Sequence, residues 1–532
     1  MKPLLFALLA FALPAAASVD LTITTTYYNI PTLSAGQRFT LVVAANNVGT
    51  EPSPATITVP LPPGSTFVRN DGSPWNCASS GDNVVCSGTL SGPGRPAVLQ
   101  LVATAPVSDD GFSFVADATV DGPLPDANPR DNKTTFILSG WRELRVDNGG
   151  DNGAGSFRGA LEETNDRCDG SVPCRITFTS PMTLQPETPL PRIRGCGLLI
   201  DAGTDGVDRY QDFSHPRRVE ISGAKADHGN GIDIRSACSA ADLRPSIPAV
   251  TLRGLAINGF PDNGVLIAPA VRAAINVTGC FIGTDVTGMR AIPNRSRGVS
   301  FETPGASGSV GNSIVSGNGR SGISIWSGEG TSVFATLIGV SAAYGVLGNG
   351  ASGIFTNSGS LTATNNVIAA NRQFGVAVGG GAARTLVQNN SIHDNGGIGV
   401  DWGLDGPTSL DTSGRMPPTP RLIDAFYDAA RDVTVVHGVL PLPLPPTPTA
   451  SIISGYGIEP YESGPTSAGY GGDERIPGGI IVRPTGGTEA PFTIELLHDH
   501  RGRTITAQTM RYIFFDIPPD DSSEYSAPLL VP

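Results

Sequence analysis

One short phrase recurs five times in the middle of the chain: an Asn, three residues of any kind, a Gly, and then alternating apolar positions. Its copies begin at Asn294, Asn318, Asn349, Asn371 and Asn395. The spacings of 24, 31, 22 and 24 residues, without helix-forming composition, are typical of a solenoid of short strands. The phrase therefore predicts a stacked rod.

Each part of the phrase has a physical role in such a rod. Asn tolerates φ > 0 at a sharp turn, and stacked Asn amides can hydrogen-bond along the rod. Gly permits a tight corner where the chain enters the next strand. At about 4.8 Å per coil, roughly ten or eleven coils are expected in a rod near 50 Å long.

The bulk composition indicates an all-β protein of several modules. The chain has 532 residues, with 67 Gly, 45 Pro and only 6% aromatic residues. Its formal charge is −13 and no basic cluster is visible along the sequence, which argues against nucleic acid or anionic membrane as a partner. Neutral glycans or cations are the partners that this charge favours, and other surface proteins are a further candidate.

The N-terminus is predicted to be a secretion signal, residues 1–17. Lys2 supplies the positive start, residues 4–13 the apolar stretch, and three alanines ending at Ala17 the cleavage site. The apolar stretch is too short to span a bilayer. We therefore expect an exported protein, secreted or held at the cell surface.

Export makes disulfides permissible. The predicted local pairs are Cys77–Cys86 and Cys168–Cys174, and closing the first loop stabilises by roughly 2.5–3 kcal/mol on the chain-entropy estimate. The pairing of Cys196, Cys238 and Cys280 is open, although a Cys196–Cys238 bridge would leave Cys280 as a small buried hydrophobe.

Residues 19–138 alternate with a two-residue period and have turn residues every 8–12 positions, which predicts a small antiparallel sandwich. This module resembles the Ig-like repeat domain of prokaryotic surface proteins. The resemblance is carried by residues 19–23, 45–49, 61–67, 75–86 and 126–135. It implies a spacer or stalk.

Residues 141–405 start with a helix-like segment in which Ser156 is placed as the N-cap and Phe157, Ala160, Leu161 and Thr164 share one face. A single short helix before a β solenoid is expected to act as a lid on the first coil. The lid segment 151–161, the Ile-Gly-Thr-Asp at 282–285 and the Asn–Gly corners resemble bacterial right-handed parallel β-helix proteins of pectin-lyase-like architecture, with the lid of CSLREA-type surface proteins. That architecture hosts lyases, hydrolases, epimerases, adhesins and stalks, so the resemblance implies a fold and leaves the activity open.

Composition shifts again from Pro417, and a Pro-rich stretch at 441–448 separates strand-like segments. The tail resembles the small β-sandwich that often closes β-helix proteins, and it is expected to cover the far end of the rod. The predicted fold class is all-β: an Ig-like sandwich (19–138), a right-handed parallel β-helix with a short capping helix (141–405) and a small C-terminal β-sandwich (417–532).

Candidate chemistry lies first in an acid-rich turn. Asp201, Asp205 and Asp208 offer oxygen ligands for Ca²⁺, the one cofactor that the sequence suggests, although a solvated turn is the alternative. Asp285 either caps a turn or contacts a ligand.

A second candidate is the densest titratable stretch of the rod. In it Lys225, Asp227 and His228 could act as a general base beside acids. The alternation places Asp233 on the outer face, so a surface salt-bridge cluster is the alternative.

The remaining candidates are aromatic, metal-binding and paired-carboxylate sites. Trp326 and Trp402 could stack on sugar rings or plug corners of the rod. His498 and His500 could bind a metal or belong to a hairpin turn. A glycosidase carboxylate pair could come from different coils, with Asp262, Glu302 and Glu329 as candidates.

Three functions follow from different classes. The first is an exported structural or adhesion protein whose β-helix face binds glycans. The second is a polysaccharide lyase or hydrolase of pectin-lyase-like fold, and the third is an inert spacer or passenger subunit. The absence of the Asn-Thr-Asp, Gly-His-Gly and Arg-Ile-Lys signatures of polygalacturonate hydrolases from residues 141–405 favours the first.

Overall fold

The computed structural model describes most of the chain, in two compact units. The described residues are 19–26, 32–203, 212–235, 249–269, 273–328, 330–408, 416–442, 455–463, 471–472, 474–483, 487–512, 519 and 521–532. One unit comprises residues 1–143 with 172–174, and the other comprises 144–171 with 175–532. The predicted secretion signal lies outside the described residues. Within them, no helix is both long and apolar enough to cross a membrane.

The first unit is an antiparallel two-sheet sandwich. Its sheets have the strand orders β1-β2-β7-β4 and β5-β6-β3-β8-β9. Inward residues such as Leu41, Ile57 and Phe136 are buried and alternate with exposed ones, as a strand buried on one face requires. The strands are β1 (Leu21–Thr26), β2 (Arg38–Asn47), β3 (Ser53–Pro60), β4 (Thr66–Asp71), β5 (Asn76–Ser80), β6 (Asn83–Leu90), β7 (Ala97–Thr104), β8 (Asp110–Asp121) and β9 (Lys133–Val146).

Disulfides and one free thiol account for the cysteines in the described residues. Cys77 and Cys86 lie opposite each other on β5 and β6 and form the predicted bridge. Cys168, Cys174 and Cys196 are also disulfide-bonded. Cys280 is free and buried, and burial raises the pKa of its thiol to about 11. Cys238 lies outside the described residues.

The second unit begins with helix α1 (Phe157–Arg167), as the sequence predicts. The Ser156 hydroxyl accepts a hydrogen bond from the Gly159 N–H at 3.1 Å and so caps the helix. The four residues at helical spacing are the buried ones, and the Phe157 ring lies 5.8 Å from that of Phe178. The helix therefore buries its apolar face beside the first strand of the rod.

The rod is a column of coils, each contributing one strand to each of three parallel sheets, here called R1, R2 and R3. The rod starts with β10 (Asp169–Phe178), which lies next to β12 in the sheet of R1, and with β11 (Met182–Leu184), which opens R2. Each coil consists of three consecutive strands, from β12–β14 to β30–β32, which belong to R1, R2 and R3 in that order. In the coils, R1 has β12 (Cys196–Asp201), β15 (Val250–Arg253), β18 (Ala273–Thr278), β21 (Ala306–Gly311), β24 (Thr331–Phe334), β27 (Leu361–Thr364) and β30 (Thr385–Gln388), and R2 has β13 (Val219–Ser222), β16 (Leu255–Asn258), β19 (Phe281–Ile282), β22 (Ile314–Val315), β25 (Leu337–Ile338), β28 (Val367–Ala369) and β31 (Ser391–His393). R3 has β14 (Ile232–Ile234), β17 (Val265–Ile267), β20 (Val299–Phe301), β23 (Ile323–Ile325), β26 (Ile354–Thr356), β29 (Val376–Val378) and β32 (Val400–Trp402).

These strands make seven complete coils in the described residues, fewer than the ten or eleven expected. The early coils carry longer connections, such as the one from β12 to β13, and two later coils carry insertions after β19 and β25.

The predicted Asn ladder is present. The side-chain amide of each Asn donates to the side-chain oxygen of the Asn in the next coil, with distances of 3.0, 3.0, 2.9 and 3.0 Å. The ladder runs from Asn294 through Asn318, Asn349 and Asn371 to Asn395. The same oxygens also accept backbone N–H groups of the coil before, so the ladder pairs main chain that the corners would otherwise leave unpaired.

The predicted reason for the Asn and Gly residues is only partly right. None of the five Asn residues has φ > 0; in three copies the residue before the Asn does, at Gly317, Ala370 and Asp394. The Gly is needed for space. A Cβ on Gly298 would lie 2.8 Å from the Asn318 amide nitrogen and 2.6 Å from the Gly322 carbonyl oxygen.

The C-terminal region forms two antiparallel sheets around a core of its own that includes Ile458, Phe492, Ile494 and Leu496. Its strands are β33 (Arg421–Asp428), β34 (Val433–Pro441), β35 (Gly455–Ser463), β36 (Glu474–Arg475), β37 (Ile480–Val482), β38 (Glu489–Leu497), β39 (Thr504–Tyr512), β40 (Asp521–Tyr525) and β41 (Leu529–Leu530).

The C-terminal region also covers the last coil of the rod. In R1, the Asp521 carboxylate accepts the Thr385 N–H at 2.7 Å and the Ser522 hydroxyl oxygen accepts the Val387 N–H at 2.9 Å. In R2, Ile392 and Gly472 exchange backbone hydrogen bonds at 2.8 Å. In R3, Glu524 accepts the Trp402 N–H at 2.8 Å. Groups that another coil would have paired are thus satisfied by this region.

Candidate functional site

The outer face of R3 carries the best-formed group of candidate residues. The alternation along its short strands turns the middle residue of each strand outward, and the residue after the strand also lies on that side. The outward middle residues, from β14 to β32, are Asp233, Leu266, Ser300, Ser324, Phe355, Ala377 and Asp401. The centre of this face is therefore lined with small polar and aromatic side chains.

Trp326 follows β23 and is the aromatic centre of this face. Its side chain is one of the exposed large hydrophobic groups, with 37% exposure. The Phe355 ring lies 5.2 Å away at an interplanar angle of 58°, and the Arg297 guanidinium lies 5.1 Å from the indole centroid. The indole is thus fixed between a ring on one coil and a cation on another.

Polar groups surround the indole. Arg297 Nη1 lies 3.5 Å from Glu302 Oε1, and the Ser300 hydroxyl donates to the same oxygen at 3.2 Å. The Ser324 hydroxyl is buried and has no hydrogen-bond partner in the described residues. We call these six residues, Arg297, Ser300, Glu302, Ser324, Trp326 and Phe355, the Trp326 cluster.

The electrostatics of the cluster centre on Arg297. Partial burial is the main cause that lowers the pKa of this guanidinium; Glu302 acts in the opposite direction and the neighbouring charge of Arg320 lowers the pKa further. Donors from an arginine, an acceptor carboxylate and an aromatic face are the groups that orient a sugar ring.

The candidate carboxylates Asp262 and Glu302 lie toward opposite ends of the strands of R3, and a pair between them stays a prediction. The Ser296 N–H donates to the Asp262 carbonyl, which aligns Asp262 with the corner before β20, whereas Glu302 follows the other end of that strand. Glu329 lies outside the described residues.

Asp285 is held as a turn cap, in an insertion after β19. Its carboxylate accepts hydrogen bonds from the Thr287 hydroxyl at 2.8 Å, the Met289 N–H at 3.1 Å and Arg290 Nε at 3.1 Å. Burial alone would raise the pKa of Asp285, but these hydrogen bonds outweigh it and lower the pKa. Its carboxylate oxygens are therefore engaged within its own loop.

Asp201 ends β12 and is paired with Arg253 on the next coil, whose Nε and Nη2 both donate to the carboxylate. Asp201 also accepts the Gly203 N–H at 3.1 Å. A cation at this turn would have to displace the guanidinium. Asp205 and Asp208 lie outside the described residues, so the Ca²⁺ site stays a prediction.

A single 3₁₀ turn (Gly223–Lys225) ends at Lys225, and Asp227 and His228 follow it. The side chains of these three candidates are exposed. Asp227 and His228 pair with each other, and Lys225 Nζ lies 3.8 Å from Glu187. Asp233 lies on the outer face as predicted, paired with Arg192 and Arg235. The structure shows ion pairs along this stretch, and a catalytic role for it stays a prediction.

Trp402 lies at the end of the rod. Its indole N–H donates to the Ser522 carbonyl at 3.2 Å and its backbone N–H to Glu524. This residue therefore attaches the C-terminal region to the last coil, and it lies three coils beyond Trp326 on R3.

His498 and His500 belong to the connection between β38 and β39. His498 pairs with Asp432 at 3.0 Å, and His500 pairs with Glu462. The two rings thus face different carboxylates.

Three carboxylates that the sequence analysis did not select meet in the sandwich. Asp20, Asp126 and Asp131 each offer an oxygen within 4.8 Å of the others. Burial, and then the charges of Asp131 and Asp126, raise the pKa of Asp20. Asp126 also accepts the Leu21 N–H at 2.8 Å and the Asn128 N–H at 2.8 Å, which ties the first strand to the segment before β9. These motif positions thus join two ends of the module.

The comparisons with known proteins address the rod. Residues 217–409 match the family model described as right handed beta helix region. The rod is a right-handed parallel β-helix. None of the curated proteins matches the chain.

Solved structures give distant matches. The catalytic unit of a GH87 alpha-1,3-glucanase from Streptomyces thermodiastaticus is 12% identical, covers 68% of this chain and 71% of that chain, and has a TM-score of 0.26. The catalytic domain of a GH87 alpha-1,3-glucanase in complex with tetrasaccharides is 10% identical over 70% of this chain and 75% of that chain, with a TM-score of 0.26. The enzymatically active domain of bacteriophage CBA120 tailspike protein 2 is 10% identical over 68% and 70%, with a TM-score of 0.21.

Proposed function

We propose that the protein is exported and binds glycans at the Trp326 cluster on the R3 face of its β-helix, as a structural or adhesion protein of the cell surface. The observation that carries the proposal is the half-exposed indole of Trp326, fixed at 5.2 Å from Phe355 and bordered by Arg297 and Glu302. An indole face stacks on the apolar face of a sugar, and the flanking charged groups bind its hydroxyls.

Two further observations support this assignment. The bridge between Cys77 and Cys86, with the disulfide-bonded Cys168, Cys174 and Cys196, fits an oxidising compartment and therefore export. Within the Trp326 cluster, Glu302 is the one carboxylate, whereas a glycosidase requires two. The N-terminal sandwich would then serve as an Ig-like spacer, as its resemblance implies.

The test uses the mature chain, residues 18–532, on a glycan array and then in calorimetric titration with the best glycan. Trp326→Ala should weaken binding at least tenfold, which corresponds to about 1.4 kcal/mol. Tyr344→Ala is the matched control, because Tyr344 is also an exposed aromatic residue of the rod but lies on an insertion loop.

Two outcomes would contradict the proposal. An equal loss of glycan affinity in Trp326→Ala and Tyr344→Ala would show that the Trp326 cluster is not the binding site. If no glycan on the array is bound, the spacer function replaces glycan binding. Release of reducing ends or unsaturated products from the bound glycan would establish the enzyme alternative instead.

A further inference from the structure

The repeated phrase places four arginines of distant sequence position at one corner of the rod. Backbone hydrogen bonds align the three residues after each Asn with the corresponding residues of neighbouring coils. The Gly319 N–H donates to Asn294 and the Arg320 N–H to Ser296, so Arg320 lies one coil above the turn that contains Arg295 and Arg297. Arg372 lies two coils further along the same corner, at the position that Arg295 has in its own turn.

This corner lies where the chain enters the strands of R3. We call its four arginines, Arg295, Arg297, Arg320 and Arg372, the arginine corner. With coils spaced by about 4.8 Å, its first and last members are separated by about 14 Å along the rod. The equivalent positions of the intervening coils are Gly319 and Gly350, where a Cβ would lie 2.3 Å from the Arg295 carbonyl oxygen and 2.2 Å from the Gly319 carbonyl oxygen, so no side chain stands there.

Three of these arginines form no ion pair in the described residues, a property they share with the exposed Arg38, Arg95, Arg130 and Arg194. Across the described part of the chain, Arg295, Arg320 and Arg372 form no ion pair, whereas Arg158, Arg253 and Arg511 each bind a carboxylate. Two carboxylates are nearby, Glu302 beside Arg297 and the exposed Asp262 at the same corner one coil earlier.

A concentration of four arginines at one corner stands out in an acidic chain. Its formal charge is −13, with 48 acidic residues available against 35 basic ones. Arginines brought together repel one another where carboxylates do not neutralise all of them, and Arg320 accordingly lowers the pKa of Arg297 although Glu302 acts in the opposite direction. A bound anion would remove this repulsion, and guanidinium groups bind carboxylate and sulfate groups in bidentate geometry.

Arg297 connects this corner to the Trp326 cluster, because its guanidinium lies over the indole while its backbone belongs to the corner. We propose that the arginine corner and Trp326 together bind an anionic glycan, one that carries carboxylate or sulfate groups along its chain. Trp326 contacts a sugar ring and the arginines bind the acidic groups of successive sugars. This inference rests on the proposed function and specifies its ligand class.

The experiment compares binding of the mature chain to polygalacturonate (carboxylate), heparin (sulfate) and dextran (neutral), by calorimetry at two salt concentrations. A double variant, Arg320→Ala with Arg372→Gly, introduces residues that other coils already carry at these positions, namely Ala351 and Gly319. We expect at least one anionic glycan to bind more tightly than dextran, more weakly at high salt, and at least tenfold more weakly to the double variant.

The matched control removes two exposed arginines elsewhere, Arg69→Ala with Arg421→Ala, and should leave the affinity within twofold. It separates a local site from the general effect of net charge. Trp326→Ala should weaken binding of the same anionic glycan.

The outcomes are distinguishable. One outcome is that the protein binds dextran as tightly as the anionic glycans and that Trp326→Ala abolishes this binding. That outcome would overturn this inference and leave the proposed function standing. An equal loss in the control variant would also overturn it. Binding of a single-stranded oligonucleotide as tightly as the anionic glycans would replace the glycan by a general polyanion.

Discussion

The inner and outer positions of the repeated phrase behave in opposite ways. The Asn is the same in all five copies, and in the first four it is buried and its amide donates to the Asn of the next coil. The next three positions differ from coil to coil, are mostly exposed or half-buried, and in three of the copies carry arginine. Within one repeat, recurrence marks the positions that stabilise the rod, and variation marks those that are free to bind a ligand.

The end of the rod is stabilised differently from its middle. The ladder stops at Asn395, and beyond it side chains of β40 replace the next coil. One of the stabilising groups there is the buried carboxyl of Glu524. Its contribution to the free energy of unfolding depends on pH, because a carboxyl titrates and an Asn amide does not.

The largest expected effect is therefore the pH dependence of this cap. Burial raises the pKa of Glu524 to about 8, with Asp401 and Asp405 adding to the rise and the N–H groups of Thr408 and Trp402 opposing it. Because the folded pKa exceeds the ordinary value of 4.5, the contribution of Glu524 is complete below about pH 4.5 and is lost as the pH rises through 8. The shift corresponds to at most about 5 kcal/mol.

Thermal unfolding of the protein at several pH values between 5 and 9 would measure this effect. The transition of the second unit should move to lower temperature as the pH rises. Glu524→Gln should flatten this dependence, and Asp405→Asn, which removes a nearby exposed charge, should reduce it. A wild-type transition that does not move over this range would contradict the assignment.

Breaking the ladder should have the next largest effect. Asn318→Ala removes the acceptor of the Asn294 amide and the donor to Asn349, and leaves buried polar groups unpaired. We expect a loss of about 3 kcal/mol in the free energy of unfolding. Urea denaturation measures it, with Asn276→Ala as control, because Asn276 makes one hydrogen bond on the outer side of β18. Equal costs for the two variants would show that the ladder has no special role.

The Gly of the phrase should matter through space. Gly298→Ala places a Cβ 2.6 Å from Val315 Cγ1 and from the Gly322 carbonyl oxygen, so neighbouring coils must shift at a cost of about 1–3 kcal/mol. Gly380→Ala is the control, because a Cβ there meets nothing within 4 Å. The two variants should differ in the midpoint of urea denaturation. Equal midpoints for the two variants would indicate that Gly298 provides only backbone flexibility at the corner.

Much of the fold was accessible from the sequence because it depends on short-range pattern. The period of the Asn–Gly phrase predicted the stacked coils, and the spacing from Phe157 to Thr164 predicted α1. The number of coils was wrong, because insertions such as the one that contains Asp285 change the period without changing the stack.

The candidate site was only partly accessible, because it depends on which outer positions become neighbours. Trp326 was selected as an exposed aromatic residue, but its contacts with Arg297 and Phe355 join separate coils. The arginine corner escaped notice because its first and last members are 77 residues apart in the sequence. Aligning the five copies of the phrase would have revealed it, since the arginines occupy adjacent columns.

The smallest expected effect on stability belongs to the arginine corner. Arg320→Ala combined with Arg372→Gly should change the free energy of unfolding by no more than about 0.5 kcal/mol per site, because neither side chain has an ion pair in the described residues and both are exposed. Urea denaturation of the unliganded protein checks this. A loss as large as that of Asn318→Ala would mean that these positions stabilise the rod, and the distinction between recurring and varying positions would fail.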